Sequence, residues 1–223
     1  MQEGPASWTP DGTQILFYAA GADANYNLYR QPPSMPTGTQ RVQLTHFALG
    51  SGCPSFNNTH DRVSVSSTGE IVWQCAMQIE VTSADGSTTT TIHTVPASPP
   101  LFTELHGASW SPDGQRIAFM VLLRATYSGG GPGERQQAQI KTVDRQGQNE
   151  TVVATVSSSG LQDIGGENDI YSLCWTLDGS RLFFNVGDGN AQAHIWMVNA
   201  DGTALTQLTT AANVWDQSVS VFH

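Results

Sequence analysis

Charge is scarce in this chain, and positive charge is scarcest. Only 13% of the 223 residues are charged, against about 25% in an ordinary globular domain. Lys141 is the single lysine, and nine basic residues face nineteen acidic ones, for a formal charge of −10. So few cations cannot build a basic stripe, which argues against nucleic acid as a partner, because such binding rests on neutralising phosphates. An acidic surface suits cations, or basic or neutral ligands such as peptides and sugars. No apolar run reaches the ~18 residues that a spanning helix needs, so no membrane insertion is expected. The chain opens Met1-Gln2-Glu3-Gly4-Pro5 without a leader pattern. That leaves a cytoplasmic protein or an excised mature domain.

Chemical signatures are equally thin. There is no Gly-x-Ser-x-Gly elbow, no His-Glu-x-x-His pair and no Cys/His zinc spacing. The three cysteines, Cys53, Cys75 and Cys174, form no CxxC pattern. Cys53 and Cys75 fall in one stretch and could meet, but buried free thiols are the expectation. The run Gly129-Gly130-Gly131-Pro132-Gly133 lacks the lysine of a phosphate loop. Asp23-Ala24-Asn25 and Asp188-Gly189-Asn190 begin like calcium loops. Both lack the later bidentate carboxylate, so turn chemistry explains them.

What the chain does have is a phrase that returns. It reads Trp8-Thr9-Pro10-Asp11-Gly12, Trp110-Ser111-Pro112-Asp113-Gly114 and Trp175-Thr176-Leu177-Asp178-Gly179. A short apolar run follows each copy: Ile15-Leu16-Phe17, Ile117-Ala118-Phe119 and Leu182-Phe183-Phe184. Asp and Gly suit a tight hairpin, since Asp bonds the backbone and Gly accepts positive φ. A degenerate copy is read with Phe56 in the tryptophan's place and a turn over 57–61, and a partial one ends the chain with Val221 there. Each unit reads as four short strands of period two. In the first they lie near 5–9, 14–19, 26–31 and 39–45, and in the fourth near 171–176, 180–186, 193–199 and 203–209. A unit of this size buries its apolar faces only by stacking on copies of itself.

These residues resemble the WD40-like PD40 repeat of TolB-type β-propellers. The later pieces of the pattern are present as Asn27-Leu28-Tyr29 with Gln43-Leu44-Thr45, and as Ile195-Trp196-Met197-Val198-Asn199-Ala200-Asp201-Gly202 with Gln207-Leu208-Thr209. The expected fold is therefore all-β: a single domain of about four four-stranded antiparallel blades over 1–49, 50–103, 104–168 and 169–216, with a terminal strand over 217–223. Relatives commonly carry six or seven blades, so four implies either a small closed ring or part of a larger propeller.

The short Trp-x-x-Asp-Gly turns lie on one face, and the long irregular loops lie on the other, where binding sites usually reside. That face would gather His46, Phe102, Glu104, His106, Asp163, Glu167, Asp169, Trp215 and Asp216, with Phe47, Leu101 and Leu161 as further apolar candidates. Such a mouth could hold a divalent cation such as calcium, a sugar or a cationic peptide end. The resemblance implies a non-enzymatic binding propeller of the bacterial envelope or surface, periplasmic or extracellular, with a protein, peptide or carbohydrate ligand. Two alternatives stay open. One is a carbohydrate-active lyase or hydrolase with a metal at the axis. The other is self-assembly through the terminal strand, Ser218 to Phe222, paired with a neighbouring chain.

Overall fold

The computed structural model describes residues 6–20, 26–34, 41–47, 63–98, 101–126, 132–161, 172–187 and 193–210. They form sixteen strands in four antiparallel meanders. Blade one holds β1 (Ser7–Trp8), β2 (Ile15–Ala20), β3 (Tyr26–Gln31) and β4 (Val42–Gln43). Blade two holds β5 (Ser64–Val65), β6 (Ile71–Cys75), β7 (Gln78–Thr82) and β8 (Thr89–Thr94). Blade three holds β9 (Phe102–Trp110), β10 (Arg116–Thr126), β11 (Pro132–Asp144) and β12 (Thr151–Leu161). Blade four holds β13 (Leu173–Trp175), β14 (Arg181–Gly187), β15 (Ala193–Asn199) and β16 (Thr206–Gln207). The first strands touch in succession, β1 with β5, β5 with β9, and β9 with β13. They are the inner strands of a four-bladed propeller.

Period two explains why both faces of a blade are apolar. In β10, Ile117, Phe119, Val121 and Leu123 pack with Val72 and Ile79 of blade two. Their alternates, Ala118, Met120 and Leu122, pack with Leu182, Phe184 and Val198 of blade four. A strand sandwiched between neighbours therefore reads as a continuous apolar run. Blades one and two join through Leu16, Tyr18, Leu28 and Leu44 against Ile71 and Trp73.

The recurrent turns work as their residues suggest. In blade four, Asp178 accepts from the Thr176 hydroxyl at 2.5 Å and from the Ser180 amide at 3.0 Å. These bonds, the Thr176 one foremost, lower its pKa to about 2. Gly12, Gly114 and Gly179 take φ of +66°, +65° and +67°. The tryptophan opposes the first apolar residue of the next strand: Trp8 faces Ile15, Trp110 faces Ile117 and Trp175 faces Leu182.

Blade two corrects the reading of its degenerate copy. The same register sets Val65 opposite Ile71, so Val65 takes the tryptophan's place, not Phe56. The turn is Ser66-Ser67-Thr68-Gly69. The Gly69 amide donates to the Ser66 carbonyl at 2.9 Å, as Gly114 does to Ser111 at 2.8 Å. Ser66 and Thr68 hydroxyls, 2.9 Å apart, replace the aspartate, and Gly69 supplies the positive φ of +84°. Segment 50–62, which carried the earlier alignment, lies outside the described residues.

The cysteine expectation is also corrected. Cys75 is disulfide-bonded, and Cys174 is not. Cys53 lies outside the described residues.

Candidate functional site

Strand direction places the long-loop face at the end of β9 and β10 remote from the turn at 111–114. There Glu104 of β9 lies opposite Leu122, two residues before Arg124 on β10. The Arg124 Nε donates to Glu104 Oε2 at 2.8 Å. His106 Nε2 stands 3.7 Å from the same oxygen. The Arg124 and His106 side chains are buried, while Glu104 keeps 24% of its side chain exposed. Burial pushes the Glu104 carboxyl up, but His106 and the Arg124 guanidinium outweigh it and hold the pKa below the usual range. The result is an ionised carboxylate, fixed from behind by a cation and open in front. It can accept hydrogen bonds from a ligand or pair with its positive end.

Of the residues expected at this mouth, the structure brings together Glu104 and His106. His46 is exposed, just beyond β4. Phe102 opens β9. Asp163, Glu167, Asp169, Trp215 and Asp216 lie outside the described residues, as do the two Asp-x-Asn runs. Among the described residues, no three His, Cys, Asp or Glu side chains gather as a metal site. Two of the apolar candidates are plugs between blades: Phe47 packs on Trp73 with ring centroids 5.4 Å apart, and Leu101 packs on the cluster between blades two and three. Leu161 ends β12. Arg124 was the residue that sequence reasoning missed. Its signal was a lone cation closing the apolar run from Ile117 to Leu123, which a strand tolerates only where a carboxylate waits.

No family model and no curated relative matches this chain. Solved structures do. TolB from Acinetobacter baumannii superposes with a TM-score of 0.57 at 17% identity, over 93% of this chain and 43% of that one. A putative TolB from Agrobacterium tumefaciens gives 0.57 at 20%, over 96% and 64%. The fold is that of a TolB-like β-propeller. A chain of the nidogen/laminin complex also matches, with a TM-score of 0.61 at 14% identity, over 97% of this chain and 67% of that one. This TolB-like propeller thus spans less than half of the first of these proteins and about two thirds of the other two.

Proposed function

We propose that this TolB-like propeller is a non-enzymatic binding domain of the bacterial envelope or cell surface, periplasmic or extracellular. It would engage a protein, peptide or carbohydrate ligand through the long-loop face. The observation that carries this reading is the Glu104–Arg124 pair, 2.8 Å apart, at the inner end of the longest blade. A carboxylate held ionised on a rigid strand is a preorganised acceptor for ligand N–H and O–H groups. The disulfide at Cys75 supports an oxidising compartment.

The test is binding of the immobilised chain to peptide and glycan arrays, beside the variants Glu104→Gln, His46→Ala and Asp178→Ala. Binding should weaken with salt and fall in the first two variants, while Asp178→Ala, on the short-turn face, binds as wild type. Loss only in Asp178→Ala would put the ligand on the wrong face. Turnover of an arrayed sugar, or a melting temperature raised by calcium, would instead favour the carbohydrate-active reading.

A further inference from the structure

On the four innermost strands, β1, β5, β9 and β13, Glu104 is the single residue that is aspartate, glutamate, lysine or arginine. Its counter-charge comes from β10 and falls on one oxygen. Oε2 accepts from the Arg124 Nε at 2.8 Å and has His106 Nε2 at 3.7 Å. Oε1 accepts no hydrogen bond from the described residues, and 24% of the side chain is exposed.

Glu150 is the internal comparison. Lys141 Nζ donates to its Oε1 at 2.7 Å, and His93 Nε2 lies 2.8 Å from its Oε2. Each oxygen there has a nitrogen of its own. Glu104 has the first of these two partners and lacks the second. Among the described residues, the other basic side chains are committed elsewhere: Lys141 to Glu150, Arg145 to Glu70, and Arg116 to the Trp175 ring at 4.7 Å. A second nitrogen for Glu104 therefore has to come from a ligand.

We propose that Glu104 Oε1 is the docking point for a cation carried by a peptide or protein partner, the ammonium of a lysine or the guanidinium of an arginine. This contact presupposes the binding role proposed above for the long-loop face, and it narrows the ligand to basic peptide segments. Three features select a cation over a sugar hydroxyl. A charge-assisted bond to a carboxylate is shorter and about twice as strong as a neutral one. Arg124 already holds the Glu104 side chain on a rigid sheet, so little ordering cost remains for the ligand to meet. The formal charge of −10 draws basic segments toward the chain. The ligand cation and Arg124 take opposite oxygens, as Lys141 and His93 do on Glu150.

The probes are the peptides and glycans that wild type retains on the arrays. Each peptide is resynthesised with lysine acetylated and arginine replaced by citrulline, which removes the charge and keeps the chain. Affinity in solution should fall about tenfold or more on neutralisation. It should fall as far when the unmodified peptide meets Glu104→Gln, and neutralising the peptide should then change little more. The change made on the peptide needs no folded variant, and circular dichroism at the assay temperature checks Glu104→Gln. Peptides or glycans that bind without a positive charge, yet weaken in Glu104→Gln, overturn the cation and leave the binding face standing. Basic peptides indifferent to Glu104→Gln also overturn it, because their charge is then read elsewhere. A blank on both arrays overturns the binding role itself and the cation with it.

Discussion

His93 of blade two reaches across to blade three and places its Nε2 2.8 Å from Glu150 Oε2. Its Nδ1 lies 2.9 Å from the Gly147 carbonyl. Both ring nitrogens thus meet oxygens of blade three. Lys141 holds the other Glu150 oxygen at 2.7 Å. One carboxylate thus ties the outer strand of blade two to the outer strands of blade three.

This tie should weaken in acid. Burial raises the Glu150 pKa, but Lys141 and His93 outweigh it and leave it below its ordinary value. A depressed carboxylate contributes stability that is complete above its unfolded pKa, about 4.3, and is lost as pH falls through the folded pKa. Six turn aspartates add to the same slope: Asp11, Asp85, Asp113, Asp144, Asp178 and Asp201 all lie below their ordinary value, with Asp85 and Asp178 near 2. The melting temperature should be flat from pH 7 to 5 and fall steeply between about 4 and 2. Glu150→Gln should remove part of that fall. An identical acid profile in the variant would dismiss the tie.

Gly147 should tolerate no side chain. It takes φ of +76°, and a Cβ there would lie 1.8 Å from the Ile92 carbonyl oxygen of blade two. Gly147→Ala should cost about 3 kcal/mol or more in urea unfolding, from the left-handed backbone and the overpacking together. Gly114→Ala, with a similar φ of +65° and nothing nearer than the flexible Arg145 side chain at 3.6 Å, should cost about 1–2 kcal/mol. Equal losses would show that the turn, not the blade contact, demands the glycine.

Glu104→Ala should destabilise as well as weaken binding, because the buried Arg124 keeps its charge. The expected loss is about 2 kcal/mol. Glu104→Gln retains an acceptor and should lose less. A fully stable Glu104→Ala variant would mean that Arg124 is held by its other neighbours.

Cys75→Ser should lower the unfolding free energy by about 2–4 kcal/mol. Wild type treated with reductant should fall to the same stability, and the Cys174 thiol should label with a maleimide before reduction. A stability unaffected by reductant would show the bond to be energetically idle.

Some of this was legible in the residues and some was not. The all-β class, the four-strand unit and the turn chemistry follow from local signals: period-two alternation, Asp-Gly pairs and a recurrent tryptophan. Each acts within a few residues, so a sequence carries it intact. Blade two was misplaced because its turn keeps only the glycine; the serine and threonine that replace aspartate are common everywhere. Glu104 and His106 could be named from their place before the third repeat. Arg124 could not, because its carboxylate lies across a strand pair, 20 residues away.

What the sequence alone determined is the repeat and its hairpins, since backbone geometry answers to nearest neighbours. Only the tertiary structure decided what each copy does. Three tryptophans in one local phrase have two fates: Trp110 and Trp175 are buried by the preceding blade, and Trp8 is exposed. The difference lies in what stands alongside, and burial is a property of the neighbour, not of the residue.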